Sequence, residues 1–461
     1  MTTPSLSRRS FLALAGAGAV STIAWPAWAA DARRPGAVRA PKLTAADRQI
    51  INQIRPANAI EHLTHLTENI GQRYTGTPGE KLAADYLAET LESYRYHVDV
   101  ESFEVPDRRI GELTGPALTD TLNWGVGPAA QGPQNVTVAG DLMVAPSGSA
   151  ADLPASLTGK ILMRVVTTSE DIAPLAVAAA ERGAVAVIAT RRDATYPSQA
   201  SAFAPNLNVA SVSIPVVGVS QVQKHALLAA LKNGPVSLTL KTEEFVNTTS
   251  QNVIATRAGQ KGSGKGGRDW VMLGAHYDSV IGTRGANDNA SGTSALLELA
   301  RVMRTAPTAA DLSFGFWGSE EVGLVGSRIY AQNLDVGERG RLRGVFNNDM
   351  IATSWEPSEK YWVLDLRGES NAVNQAVYAV GDRMGYRAQM SDIFTMGRSD
   401  HQSFSQVGVA SGNFGWLHTD GFILEPEYHS SDDTVRNNIS VERLTVAMEI
   451  QGAAAYALAK D

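Results

Sequence analysis

The sequence predicts an α/β protein: a twisted, mostly parallel sheet covered by helices on both faces, with a small β-rich insert. Three observations carry this. From residue 250 onward, apolar strand-like runs alternate with amphipathic helical stretches, the pattern of parallel strands joined by crossover helices. Between about 118 and 245 the texture changes to short β-rich runs joined by Pro, Ser and Ala loops. The 461 residues, 44% hydrophobic and 19% charged, suffice for two domains with a substantial core.

The first thirty residues are set apart. Arg8-Arg9 precede an apolar run from Phe11 to Ala24, and Ala27-Trp28-Ala29 follows as a small-x-small cleavage site. That is the layout of a secretory signal, and the arginine pair before Phe-Leu resembles a twin-arginine export signal. The run is short for a bilayer span and carries two glycines, which favours cleavage over anchoring. No other apolar stretch is long enough to cross a membrane. The expected division is a signal over 1–30, a main domain over 31–117 and 246–461, and an insert over 118–245. The mature protein is expected to be exported, periplasmic or secreted.

Along the main domain, residues 44–70 read as helical, with Thr44 three residues before Asp47 as a helix start. "GQRYTGTPGEKLAADYLAETLESY" gives a glycine-rich turn and a helix with Leu82, Tyr86 and Leu91 on one face. "YRYHVDVESFEV" alternates as a strand. In the insert, "GKILMRVV", "GAVAVIAT" and "IPVVGVS" are the strand-like runs. Next come "NVIATRAG", "DWVMLGAH", a helix over 289–305, "LSFGFW" and a helix over 322–333. "GVFNNDM", "YWVLDL" and helices over 370–384 and 440–459 complete the chain. In the helix over 289–305, Leu296, Leu299, Ala300 and Met303 form the stripe to be buried. "GQKGSGKGG" reads as a hairpin loop between the first two of these later strands, and it lacks the phosphate-loop pattern.

Composition excludes several functions. The formal charge is −7, and −9 once Arg8 and Arg9, the only charged residues of the signal, are gone. A modestly acidic chain argues against a nucleic-acid partner. There is no cysteine, so thiol nucleophiles and thiolate metal sites are ruled out, and packing and metal must replace disulfides.

In open α/β sheets, ligands sit at the carboxyl ends of the strands. His276 and Asp278 follow "WVMLGA", and Asp288 opens a helix in "GANDNASG". Glu320 and Glu321 follow "LSFGFW", Asp349 follows "GVFNN", and "EPEYHSSDD" presents Tyr428 and His429. A lone aspartate before a helix is usually a cap. Two histidines and several carboxylates at one sheet edge instead suit a catalytic zinc site. Paired carboxylates at the end of a buried strand also need a positive partner.

The motifs "AHYDS", "GANDNASG", "SEE", "NND" and "EYHSSDDT" resemble those of the double-zinc aminopeptidases of metallopeptidase clan MH, peptidase family 28. "GQRYTGTPGEKLAADYL" is similar to that family's N-terminal segment, and 118–245 resembles the protease-associated (PA) domain that some members carry. The resemblance implies two zinc ions sharing Asp288, with His276 and Asp349 on one and Glu321 and His429 on the other. Asp278 would accept the other ring proton of His276 and fix its tautomer. Two metals so held activate a shared water and polarise the scissile carbonyl. Glu320 would move the proton from water to leaving amine, Tyr428 would stabilise the oxyanion, and Arg398, in "MGRSDHQSF", would line the site near the substrate's amino end.

Peptides are then the substrates, with no nucleic acid and no membrane after signal cleavage. Three other functions compete. A carboxypeptidase of the glutamate carboxypeptidase type also carries a PA domain. A glutaminyl cyclase has a related single-zinc fold without the insert. A non-catalytic receptor-like protein would have lost ligands that are all present here. Aminopeptidase activity is favoured because Glu320 and Asp349 can receive a free α-ammonium. His62 and His65 stand at i, i+3 and are not expected as paired ligands. His97, His225, His401 and His418 are expected to be structural or exposed, and Asp432 and Asp433 to cap the helix after His429, with support of the metal ligands as the alternative for one of the two.

Overall fold

The computed structural model describes residues 42–118, 125–166, 171–193, 201–260, 267–421 and 423–460; the signal-like segment 1–30 lies outside them. Thr44 starts the first helix, Ala45–Ile51, through a reciprocal capping box with Asp47. The single helix expected over 44–70 is instead broken. Arg55 is extended (φ −123°, ψ 96°) and a second helix runs Pro56–Thr64, followed by a wide helical turn over His65–Ile70. Proline has no N–H to donate and disfavours a helical residue before it, so Pro56 can begin a helix but cannot continue one.

The helix Pro78–Ser93 buries Ala83, Ala84, Leu87 and Leu91, whereas Leu82 is 56% exposed. The shared face expected for Leu82, Tyr86 and Leu91 is therefore incorrect. Nine residues at about 100° each place Leu82 and Leu91 on opposite sides of a helix.

The main sheet is built from β1 (His97–Glu104), β9 (Thr249–Arg257), β10 (Trp270–His276), β11 (Asp311–Trp317), β12 (Leu342–Asn348), β13 (Lys360–Asp365), β14 (Met390–Thr395) and β15 (Ser411–Leu417). Its order is β1-β9-β11-β10-β12-β15-β13-β14. The four central strands β11, β10, β12 and β15 are parallel, while β1, β9 and β13 join antiparallel. Because β11 lies between β9 and β10, the glycine–lysine stretch does not close a hairpin. Most of it, residues 261–266, lies outside the described residues.

Helices pack against the sheet through one continuous apolar core that includes Leu296, Leu299, Ala300 and Met303, all fully buried. The predicted helices begin late: Gly292–Met303, Val325–Asn333, Ala372–Met384 and Val441–Lys460. Residues 320–324 are thereby left as a loop.

The insert is a closed barrel of β2 (Arg108–Thr114), β3 (Gly125–Pro128), β4 (Thr137–Val144), β5 (Lys160–Val166), β6 (Ala186–Arg191), β7 (Val216–Val219) and β8 (Ser237–Phe245), in the order β2-β3-β7-β6-β5-β4-β8. The expected boundary at 118 is too late, because Arg108–Thr114 pairs along its whole length with β8 and closes the barrel. The chain leaves and returns at one point: Glu104 pairs with Thr249, and the Val105 N–H donates to the Thr248 carbonyl at 3.0 Å. An excursion of this size thus leaves the β1–β9 pairing intact. Among the described residues no helix is long and apolar enough to cross a membrane.

The first helix is tied to Ala372–Met384 by Arg383, whose Nε and Nη2 each donate to the buried Asp47 carboxylate at 2.7 Å. Burial alone would raise the Asp47 pKa, but the bonds from Arg383 and Thr44 outweigh it and hold the carboxyl below its ordinary value. A carboxyl lowered by folding contributes stability above its unfolded pKa and loses it as pH falls through the folded one. Asp47→Asn is expected to cost about 1–3 kcal/mol at neutral pH. In urea unfolding from pH 6 to pH 3, the gap between wild type and variant should narrow; a gap that stays constant would remove the charge from this account.

Candidate metal centre

The parallel strands β10, β11 and β12 end at the same sheet edge, at His276, Trp317 and Asn348. His276 is the last residue of β10, Asp349 follows β12, and Glu320 and Glu321 occupy the loop after β11. Asp288 lies in the turn Ala286–Ser291 that leads into the helix Gly292–Met303. His429 stands in the long loop before the short helix Val435–Asn438.

Three donor groups result among the described residues, each with its atoms within 4.8 Å of one another: His276–Asp288–Asp349 and Asp288–Glu321–His429, which share Asp288, and His276–Glu320–Glu321. In the first, His276 Nε2 lies 3.2 Å from Asp288 Oδ1 and 3.4 Å from Asp349 Oδ1. In the second, His429 Nε2 lies 3.1 Å from Asp288 Oδ2 and 3.1 Å from Glu321 Oε2. The structure thus brings together all five residues singled out as ligands.

These atoms suit a divalent cation better than one another. His429 Nε2 and Glu321 Oε1 are buried with no hydrogen-bond partner, although carboxylate oxygens face the imidazole. Imidazole and carboxylate donors without thiolate are the set that zinc accepts. Electrostatics say the same. Burial pushes Glu321 up to about 7, with His429 opposing and Asp288 adding. Burial alone would lower His429, but Glu321 and Asp288 outweigh it and raise the imidazole to about 10. Burial likewise works against His276, and Glu320 and Asp349 hold it well above its ordinary value. The two imidazoles are drawn into serving as the cations of an acidic pocket.

Asp278 is fully buried 3.4 Å from His276 Nδ1. The carboxylate has further partners on its remaining lone pairs. It accepts the backbone N–H groups of Glu320 at 3.0 Å and Glu321 at 3.2 Å, and the Thr75 hydroxyl at 3.2 Å. Asp278 thus stands beside His276 Nδ1, as expected, and also aims the glutamate pair. Ser319, just before them, is in the left-handed region (φ 59°). It is held there by its N–H bond to Glu80 at 3.1 Å.

Glu320 is nearly buried, and burial drives its pKa well above the ordinary value, with His276 opposing and Glu321 and Asp400 adding. The Tyr428 ring stacks on His429, with centroids 3.7 Å apart at 19°. Together with Arg398 these groups line a cleft of about 300 Å³ whose other wall includes Met350, Leu364, Leu417 and Leu424. Arg398 is exposed and left-handed (φ 68°), and its backbone N–H donates to Gln402 Oε1 at 3.1 Å.

Several residues here escaped the sequence. Arg73 is fully buried, and its guanidinium donates to the carbonyls of Tyr277, Arg284 and Gly285 at 2.7, 2.6 and 3.0 Å. It gathers the loop that carries Asp278 and Asp288. Asp433 does not cap the following helix, which Thr434 caps. It accepts the N–H groups of Asn287 at 2.8 Å and Asp288 at 3.0 Å. Ser399 donates to Asp349 Oδ2 at 2.8 Å. Asp400 is fully buried with neither oxygen hydrogen-bonded, and burial pushes it up to about 7. Only the crowding of acids and hydroxyls around the motifs hinted at these roles.

Other histidines stay outside the site. His62 Nδ1 meets the Tyr86 hydroxyl at 2.6 Å, His65 stacks on the same ring, and His401 Nε2 bonds the Met396 carbonyl at 2.8 Å.

Comparison with known proteins points the same way. The profile described as peptidase family M28 matches residues 252–455. The chain is 34% identical over 427 residues to the aminopeptidase YwaD of Bacillus subtilis (strain 168), covering 92% of this chain and 89% of that one. It is 30% identical over 452 residues to the probable lipoprotein aminopeptidase LpqL of Mycobacterium tuberculosis, covering 88% and 85%. The solved structure of BSAP, a zinc aminopeptidase from Bacillus subtilis, superposes with a TM-score of 0.62 at 33% identity over 88% of this chain and 96% of that one.

Metal bound by these residues adds to folding free energy by linkage, about 4 kcal/mol per site at free metal a thousandfold above Kd. A strong chelator is expected to lower Tm by several degrees, and added zinc to restore it. An unchanged melting curve with metal analysis showing the ions removed would mean that the acidic cluster does not depend on a cation.

Proposed function

The chain belongs to peptidase family M28, and from that membership we propose the roles of its residues. It is a zinc-dependent aminopeptidase, a hydrolase that releases N-terminal residues from peptides. The carboxypeptidase, glutaminyl cyclase and receptor-like readings are not favoured by these relatives. Of two zinc ions, one would be held by His276, Asp349 and Asp288 and the other by Asp288, Glu321 and His429. The single observation that carries the assignment is the pair of ligand sets meeting at Asp288.

Zinc supplies Lewis-acid activation of water and of the scissile carbonyl. The chain does the rest. Glu320 takes the proton from the attacking water and delivers it to the departing amine, a task suited to a buried carboxyl with a raised pKa. Asp278 keeps the two adjacent glutamates in separate roles by gripping both of their amides. The Tyr428 phenol, stacked on His429, donates to the developing oxyanion. Glu320 and Asp349 receive the substrate's free α-ammonium, which selects aminopeptidase chemistry, and the apolar wall of the cleft accepts a side chain.

The barrel of residues 108–245 is a PA domain inserted into the peptidase domain. The chain is exported, cut after the Ala27-Trp28-Ala29 signal. The similarity to a probable lipoprotein aminopeptidase of Mycobacterium tuberculosis supports passage through the membrane.

An aminoacyl-anilide should be hydrolysed and an N-blocked dipeptide with a free carboxyl end should not; the reverse preference would overturn the aminopeptidase assignment. Glu320→Gln should keep both zinc ions and lose roughly 10²–10⁴-fold in kcat with little change in substrate binding. Glu321→Gln should bind one zinc more weakly and regain part of its activity in excess zinc. The opposite pattern of zinc retention would exchange the two roles. Arg8→Lys with Arg9→Lys should leave unprocessed precursor in the cytoplasm, whereas normal secretion would make the signal an ordinary one.

A further inference from the structure

We propose that the barrel braces the metal centre, with Ser220 and Ser431 as the positioning residues through which it acts on His429. Ser431 lies two residues beyond His429, in the same loop, and its hydroxyl is 3.2 Å from that of Ser220, with both side chains buried. Ser220 is the N-cap of the barrel helix Gln221–Lys232, and its oxygen accepts the Gln223 N–H at 3.1 Å. With its lone pair so engaged, the Ser220 O–H is free to point at Ser431.

The same corner of the barrel touches the other metal loop. Gln223 Nε2 donates to the Gly125 carbonyl at 2.8 Å. That carbonyl and Ala202 press against Gly282, where a Cβ would come within 2.7 Å of each. Gly282 is left-handed (φ +78°) and lies in the loop between Asp278 and Asp288. One unit of the barrel, the capped helix start with the carbonyl it grips, is thus wedged between the loop of Asp288 and the loop of His429.

Within the peptidase domain the His429 loop is fastened by Asp433, through the amides of Asn287 and Asp288, and by Glu425, through Asn287 and Asn438 at 2.7 and 2.8 Å. Ser431 is its tie to the barrel. His429 itself is left-handed (φ 55°), a conformation that costs free energy and persists only where surrounding contacts impose it. The Ser220–Ser431 contact is placed to do so from outside the peptidase domain. The insert then acts on zinc affinity at the Glu321–His429 site, beyond any effect on substrate access.

This rests on the assignment of His429 as a ligand, and the experiment separates the two claims. Zinc affinity of the full chain is measured by equilibrium competition with a chelator for wild type, His429→Ala, Ser431→Ala, Ser220→Gly and the double serine variant. Glycine is chosen at 220 because it caps a helix nearly as well as serine. Each single serine variant should bind its weaker zinc roughly three- to tenfold less tightly, the worth of one hydrogen bond beside a ligand. The double variant should be no worse than the worse single one. KM should be unchanged, and excess zinc should restore kcat, which damage to packing alone would not allow. A His429→Ala protein that keeps both zinc ions would overturn the ligand assignment and the brace with it. If His429→Ala loses zinc while either serine variant binds it normally, or if the serine effects multiply, the brace alone is overturned.

Discussion

Everything at this sheet edge answers to one constraint, the crowding of carboxylates into a nearly dry cleft. Asp278, Asp288, Glu320 and Asp400 are buried, and Glu321 and Asp349 almost so. Unpaired charges in such a place cost several kcal/mol each, so each must be met by a cation, a proton or a backbone dipole. Asp278 is met by two amides and a hydroxyl, Asp288 by two imidazoles, and Asp433 by the amides of Asn287 and Asp288. For Glu320 and Asp400 burial outweighs the opposing charge of His276 and pushes both toward their protonated forms. The arrangement is stable only with positive charge at its centre, and that is what makes it a metal site.

The fold meets this constraint by giving each ligand a separate rigid origin. Three parallel strands end side by side, so His276, the glutamate pair and Asp349 are spaced by the sheet itself. Asp288 and His429 come from loops and need more restraint. Arg73 gathers the carbonyls beneath the first loop, Glu425 and Asp433 sew the two loops together, and the barrel closes over them from outside. Left-handed Ser319, Arg398 and His429 all fall in this region, as expected where a site over-determines its backbone.

The division of labour between Glu320 and Glu321 has a local origin. Glu320 and Glu321 bring carboxylate oxygens within 4.8 Å of each other and of His276, and Asp278 fixes their backbone by holding both amides. One carboxylate then faces His429 and Asp288 while the other remains beside His276 and Asp400. In the roles proposed for them, one residue type would yield both a ligand and a proton carrier, distinguished by surroundings alone.

The alternation of strands and helices after residue 250, the β-rich insert and the gathering of His276, Asp288, Glu320, Glu321, Asp349 and His429 at one sheet edge were legible in the sequence, because each depends on local pattern or on an unusual side chain at a strand end. Its local readings failed where a single residue overruled the pattern, as at Pro56, or where helical phase was misjudged, as at Leu82. Tertiary structure alone decided that β11 lies between β9 and β10, that Arg108–Thr114 closes the barrel, that Asp278 holds two backbone amides beside the imidazole it faces, and that Asp433, Arg73 and Ser220 attend the loops of Asp288 and His429. Those facts concern partners far apart in the chain: Arg73 meets residues some two hundred positions away, and Ser220 meets Ser431 across 211. Periodicity reports which face a residue occupies, but not what packing will bring against it.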